Sequence, residues 1–133
     1  MLKGMNSRAV ALAALGVVLA GTTAGVAYAV ADNVKAPYAQ AAATVQSNGT
    51  ISNAKGIESV KRINTGEYCI NFADADLKVS KSILQATANS ANRILQVTWG
   101  SGIGCGSAQN TAKVNVSNEN GTKADSWFTI SVH

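Results

Sequence analysis

The strongest constraint on the fold is the segment at residues 66–72, Gly-Glu-Tyr-Cys-Ile-Asn-Phe, in which apolar and polar side chains alternate. Tyr68, Ile70 and Phe72 fall on one side of an extended chain, which is the pattern of a half-buried β-strand. An Asn-Thr-Gly turn precedes this segment. The turn predicts a hairpin in which the strand pairs with residues 57–63.

The two cysteines of the chain predict one disulfide. Cys69 lies on the face of the predicted strand opposite the aromatic rings, and Cys105 lies in the glycine-rich loop 100–106. A bond between them would pin that loop across the strand. The alternative is two free thiols, one buried and one in the loop. The N-terminal segment favours the disulfide, because it indicates an oxidising compartment.

Residues 1–31 have the organisation of an export signal. Lys3 and Arg8 occur without an acidic residue, an apolar run follows, and two small-residue sites of the A-x-A type end the segment. We predict cleavage before Val30 or Asp32. The apolar stretch is also long enough to cross a bilayer, so the alternative is an uncleaved membrane anchor that faces outside.

The remainder of the chain, about 100 residues, is enough for one small domain. The whole chain has 11 Lys and Arg against 7 Asp and Glu, and without Lys3 and Arg8 nine basic residues remain, a net charge of +2. These bases are dispersed, whereas a nucleic-acid surface clusters them with aromatic residues between. We therefore predict no nucleic-acid partner.

We predict a linker or N-terminal arm at residues 32–44 and a β-domain at residues 45–133. Residues 41–46 are interpreted as either a first strand or an ordered arm. The Asn48-Gly49 pair predicts a type I′ hairpin turn. Residues 57–63 alternate imperfectly, which favours an edge strand.

The segment 79–92 is compatible with a helix or a strand, and its many Ser and Asn residues favour a strand. Clear alternation returns at residues 93–99, 112–117 and 126–133. Seven or eight short strands separated by turn signals predict an all-β protein, a small antiparallel β-sandwich or barrel with one disulfide.

The sequence offers no pattern that predicts catalysis, a metal site or a cofactor. His133, the one histidine, has no nucleophile placed by any motif. Asp74 and Asp76 form a close acidic pair, but a Ca²⁺ loop needs six or more oxygen ligands. The glycine-rich loop lacks the Lys-Ser/Thr of a phosphate-binding loop. We therefore predict that the protein is not an enzyme.

Three apolar side chains are candidates for binding a partner. Trp127 alternates with Phe128, so its ring should be exposed if Phe128 lies in the core. An exposed indole is a platform for a sugar ring or a partner protein. Trp99 ends the strand at residues 93–99, and Ile103 lies in the glycine-rich loop. The alternative for the tryptophans is that both sheet faces are covered.

Residues 45–133 contain several short patterns: Gly56-Ile57-x-Ser59-Val60, Gly66-x-Tyr68-x-Ile70-x-Phe72, Val114-x-Val116 and Asp125-x-x-Phe128-x-Ile130-x-Val132. These patterns resemble those of small secreted β-domains of actinobacteria that have no assigned function. They are also similar to terminal domains of bacterial collagen-like or tail-fibre-like proteins. The resemblance implies a compact extracellular β-domain and assigns no functional residue.

Two functions follow as expectations. The first is an exported, non-catalytic module that binds an extracellular protein or glycan through Trp127. The second is a secreted enzyme inhibitor that acts through the disulfide-tethered loop 100–106. Retention of the N-terminal segment would make the protein a membrane-anchored surface protein instead.

Overall fold

The computed structural model describes residues 32–100 and 102–133, and the predicted signal peptide at 1–31 lies outside these residues. The predicted all-β fold is confirmed, since the described part of the chain contains eight strands and one short 3₁₀ helix. The strands are β1 (Ala41–Val45), β2 (Ile51–Lys55), β3 (Ile57–Asn64), β4 (Glu67–Phe72), β5 (Leu84–Ala88), β6 (Arg93–Trp99), β7 (Thr111–Asn118) and β8 (Phe128–Val132).

The strands form a sandwich of two antiparallel four-stranded sheets. The first sheet has the order β2-β1-β8-β5, and the second has the order β3-β4-β7-β6. The predicted hairpin of β3 with β4 is present, and β3 lies at a sheet edge as expected. The chain changes sheet between β2 and β3 at the single residue Gly56, whose φ is 63°.

The core lies between the two sheets and consists of the inward side chains of alternating strands. Tyr68, Ile70 and Phe72 of β4 are all 0% exposed, as their alternation predicted. The central strands β7 and β8 contribute a second set: Val114, Val116, Phe128, Ile130 and Val132. The rings of Tyr68 and Phe128 pack with centroids 5.0 Å apart, which joins the two sheets.

The domain begins earlier than the boundary placed at Val45. The segment 41–45 is strand β1, which pairs with β2 on one side and with β8 on the other. Ala41 and Ala43 are almost fully buried. Their small side chains give a weak sequence signal, but they suit a strand at the centre of a sheet. Residues 32–36 form the arm that lies against β2.

The prediction for residues 79–92 holds in part. Leu84–Ala88 is a strand, as favoured, but Val79–Lys81 is a 3₁₀ turn. Val79 is buried and its amide donates to the carbonyl of Gln109 at 3.1 Å, so packing fixes this turn. The apolar residue therefore anchors a connection between the sheets and does not begin the strand.

The first hairpin is confirmed, but its predicted turn type is wrong. A type I′ turn needs positive φ at both central residues. Gly49 has φ 90°, but Asn48 does not have a positive φ. Asn92 is the one non-glycine residue with positive φ among the described residues. The Gly49 amide donates to the Gln46 carbonyl at 2.9 Å, and the Gln46 amide donates to Thr50 at 2.8 Å. This is a longer turn with glycine at its last position, next to a bulge at Ser52 of β2.

Candidate binding surface on the first sheet

Trp127 lies directly before β8 and points away from the core. The next residue, Phe128, is 0% exposed, whereas Trp127 is 42% exposed. The carbonyl of Trp127 accepts a hydrogen bond from the amide of Asn89 at 2.8 Å, so the backbone is held by the strand at the sheet edge. The expected exposure of this indole is therefore confirmed.

Beyond Trp127, the outward side chains of β8 form two polar rows with their neighbours. Thr129 lies opposite Thr44 of β1 and Thr87 of β5. Ser131 lies in the same way between Ala42 and Gln85. Thr129 and Ser131 alternate with three buried residues of β8, so they face outward. We call Trp127 and these two rows, Thr44-Thr129-Thr87 and Ala42-Ser131-Gln85, the outer surface of the first sheet.

The N-terminal arm forms a wall along this outer surface. A cavity of about 190 Å³ lies between residues 34–36 and the two polar rows. This volume is below the several hundred Å³ usual for a small-molecule cleft. The groove is thus suited to contact one side of a ligand and not to enclose it.

Hydrogen bonds hold the arm in place. The Asn33 amide donates to the Ala54 carbonyl at 2.8 Å, and the Asn33 side-chain oxygen accepts from the Ala54 amide at 2.8 Å. The Lys55 ammonium donates to the carbonyls of Ala36 at 2.9 Å and Ala39 at 2.8 Å. The carboxylate of Asp32 accepts from the Gly56 amide at 2.9 Å. These bonds fix the wall of the groove against β2 and its flanking residues.

Trp99 and Ile103 lie away from this surface. Trp99 ends β6, an edge strand of the second sheet. It is 45% exposed but shares its side of the strand with Leu95 and Val97, which pack against the core. Ile103 is half-buried in the glycine-rich loop. The structure therefore does not bring the three predicted binding residues together.

The predicted disulfide between Cys69 and Cys105 is confirmed, with Cα atoms 5.5 Å apart. It fixes the glycine-rich loop against the outward face of the second sheet. A cavity of about 240 Å³ separates the loop from β3, with Ser59, Lys61 and Ile63 among its lining residues. The two candidate functions thus correspond to opposite faces of the sandwich.

Asp125 forms a hydrogen-bond network that no sequence pattern predicted. Its carboxylate accepts hydrogen bonds from the Arg62 guanidinium at 2.8 Å, the Gly66 amide at 2.8 Å and the Tyr68 hydroxyl at 3.0 Å. The Arg62 bonds are the main cause that lowers the pKa of Asp125, with further help from Gly66 and Tyr68. Both carboxylate oxygens are occupied, so the arrangement is that of a structural link.

Burial raises the pKa of Tyr68 to about 12, and its hydrogen bond to Asp125 acts in the same direction. The hydroxyl also lies 2.6 Å from the carbonyl of Ser47, the acceptor in the first hairpin turn. No local motif marks these partners, because Tyr68 and Asp125 are 57 residues apart in the chain. Such a network is visible only once the strand pairing is known.

The remaining candidate residues have local structural contacts. Asp74 accepts a hydrogen bond from the amide of Asp76 at 2.9 Å, which closes the bend after β4. The ring Nε2 of exposed His133 lies 3.1 Å from the hydroxyl of Ser131. Within residues 32–100 and 102–133, no three His, Cys, Asp or Glu side chains come together as metal ligands would.

The part of the chain that the structure describes contains no helix of the length and apolarity needed to cross a membrane. Comparison of the chain with models of known protein families, with curated proteins and with solved structures gave no match.

Proposed function

We propose that this protein is an exported, non-catalytic module that binds an extracellular ligand on the outer surface of the first sheet. The observation that carries the proposal is the position of Trp127. Its exposed indole lies beside two rows that contain five hydroxyl or amide side chains and Ala42. Tryptophan is enriched at interfaces, because its ring offers a large apolar face and its N–H can donate a hydrogen bond.

A neutral glycan is the ligand class that suits this surface best. The apolar face of a sugar ring packs against an indole, and its hydroxyls pair with groups such as Thr129, Ser131 and Gln85. The two rows contain no charged side chain, and Lys35 of the arm is the one charged residue among those that line the groove. This composition favours an uncharged partner over an acidic one.

The disulfide supports the export part of the proposal. Disulfides such as Cys69–Cys105 persist in oxidising environments, and secreted proteins are exposed to these. An export signal at residues 1–31 supplies the route, and cleavage before Val30 or Asp32 releases the domain. If the signal is retained, the same surface is presented from the membrane. Mass spectrometry of the protein from culture medium and from membranes distinguishes the two forms.

The test is binding of the purified protein to immobilised neutral polysaccharides. We expect Trp127→Ala to weaken binding at least about tenfold, since it removes the stacking platform. Trp99→Ala is the matched control, because it removes an indole of similar exposure from the other sheet. Equal loss in both variants, or no binding by the native protein to any glycan tested, would contradict the glycan proposal. If the native protein instead bound an extracellular protein through Trp127, the ligand class would be a protein and not a glycan.

The second candidate is a secreted enzyme inhibitor that acts through the glycine-rich loop. One specific observation favours it: the disulfide tethers the loop at Cys105, while space is open around Gly102 and Gly106. A loop held by a disulfide loses less conformational freedom when it binds, which favours affinity for an enzyme cleft. Inhibition of a panel of secreted hydrolases, lost in Ile103→Ala and kept in Trp127→Ala, would support this function over the first.

A further inference from the structure

Three of the four edge strands of the sandwich, β2, β3 and β5, differ in how well they are protected against pairing with another chain. The arm covers β2, and β3 carries Glu58, Lys61 and Arg62 together with irregular register. Charges and bulges of this kind discourage edge-to-edge pairing. By contrast, β5 lies in the segment 82–92, which has no charged residue and no proline.

The hydrogen-bond pattern shows which backbone groups of β5 face outward. Ile83 and His133 exchange two bonds, of 3.2 and 2.9 Å, so they form a hydrogen-bonded pair. In antiparallel strands such pairs recur every second residue, which directs Gln85 and Thr87 towards β8. The N–H and C=O groups of Leu84, Ala86 and Ala88 therefore point away from the sheet. Among the described residues, β8 is the one strand that pairs with β5.

We propose that a second copy of this chain pairs with β5 in an antiparallel, twofold-symmetric arrangement centred on Ala86. In this register Leu84 lies opposite Ala88 of the second copy, and the two Ala86 residues face each other. Leu84 thus meets a small side chain at the symmetric position. The outward backbone groups are self-complementary and would form about six hydrogen bonds.

A second copy is favoured over a different protein because the edge matches itself. No like charges meet across the twofold axis, since β5 and its flanking residues 82–92 are uncharged. Ile83 is 65% exposed and would lie opposite Asn89 of the second copy, which covers part of its apolar surface. A single strand pair buries less area than most stable dimers, so the association should depend on concentration.

This inference does not rest on the proposed glycan site. It has a consequence for that site, because the row Thr44-Thr129-Thr87 would continue into Gln85 of the second copy. Two copies of the outer surface would then lie side by side in one sheet. A repetitive ligand that reaches both would bind more tightly by avidity.

The test compares the mass of the protein in solution, by sedimentation, from low micromolar to millimolar concentration. We expect the wild type to shift from monomer to dimer. The double variant Gln85→Lys with Thr87→Lys should stay monomeric, because residue 85 of one copy lies opposite residue 87 of the other and like charges then face each other. Both positions are exposed, so the fold is retained.

A matched variant with Glu at the same two positions sharpens the result. Alone it should also be monomeric, while a mixture of the Lys and Glu variants should form a heterodimer. The control pair Thr50→Lys with Asn53→Lys adds two charges near the opposite edge of the sheet, where both residues are exposed. It should dimerise as the wild type does.

Amide hydrogen exchange locates the interface. In the dimer, exchange at Leu84, Ala86 and Ala88 should slow at least about tenfold relative to the monomer. A wild type that stays monomeric at millimolar concentration would overturn the proposal. So would a dimer that the Lys variant leaves intact, or one whose protected amides lie outside β5.

Discussion

The ring of Tyr68 lies in the core, while its hydroxyl reaches the Ser47 carbonyl and the Asp125 carboxylate. One side chain therefore connects the sandwich core, the first hairpin turn and the segment before β8. Removal of the hydroxyl should leave the packing in place and break only the polar link. This separates its contribution from that of the ring.

We expect Tyr68→Phe to lower the free energy of unfolding by about 1 kcal/mol, the usual worth of one such hydrogen bond. The pKa of Tyr68 in the folded protein, about 12, lies above the ordinary value of 10.0. The hydroxyl therefore stabilises the fold fully below pH 10, and this stabilisation is lost as the pH rises through the folded pKa. Absorbance titration of the phenolates should show a component near this pKa in the wild type alone. Identical titration curves for the two proteins would contradict the assignment.

The environment of some residues could be predicted from the sequence, and that of others could not. Tyr68, Phe72 and Cys69 were placed correctly, because alternation within one strand decides their face. Asp125 was missed, because its partner Arg62 lies 63 residues away and only the assembled sheets bring the two together. Trp127 was placed by its neighbour Phe128, but the rows beside it required the strand register.

The turn between β3 and β4 requires glycine at position 66. Its φ is 68°, and a Cβ there would collide with the carbonyl oxygen of Val116 and approach the backbone of Ala124. We expect Gly66→Ala to cost about 3 kcal/mol or more, from both the left-handed backbone and the overlap. Denaturant unfolding measures the loss.

Gly102→Ala is the control for this prediction. Gly102 also has positive φ, 86°, but a Cβ there would meet nothing within 4 Å. Its replacement should therefore cost only the backbone term, about 1 kcal/mol. Equal losses at the two glycines would show that the close approach of Val116 does not matter.

The disulfide joins β4 to the loop before β7 across 36 residues. Loop-closure entropy assigns a bond of this span about 4 kcal/mol. We expect the variant Cys69→Ser with Cys105→Ser to lose most of this, and chemical reduction of the wild type to give the same shift in denaturant midpoint. A reduced wild type as stable as the oxidised one would contradict the prediction.

Elements were predictable where alternation was strong and uncertain where side chains were small. β4, β7 and β8 alternate between large apolar and polar residues, which gave the fold class. β1 has alanines at its core positions 41 and 43, so its place at the centre of a sheet came from pairing with β8 and not from its own pattern. The 3₁₀ turn at Val79–Lys81 likewise depends on a distant carbonyl.

For the whole molecule, we expect stability to fall in acid. The pKa of Asp125 is lowered chiefly by Arg62, and that of Glu67 chiefly by Lys113 at 2.7 Å. A carboxyl group whose pKa is lowered by folding stabilises the folded protein at pH values above its ordinary pKa, which is 3.8 for Asp125 and 4.5 for Glu67. This stabilisation is lost as the pH falls through the pKa of the group in the folded protein. Unfolding free energies measured across this range should show the decline.

The variant Asp125→Asn tests how much the Asp125 network contributes to the fall of stability in acid. The variant should be less stable than the wild type at neutral pH, and the two profiles should converge in acid, because a protonated Asp125 resembles asparagine. Glu119→Gln, at an exposed turn, should follow the wild-type profile. Parallel profiles for wild type and Asp125→Asn would show that Asp125 does not account for the decline.

The pairing of β1 with β8 also sets an order of events in time. During synthesis β1 can pair with β2 early, but it lacks its other neighbour, β8, because residues 128–132 are made after all the other strands described. Closing so long a span is slow compared with forming a local hairpin. Under the export proposed above, a chain that passes N-terminus first through a narrow channel would remain unfolded there and complete its first sheet only on the far side.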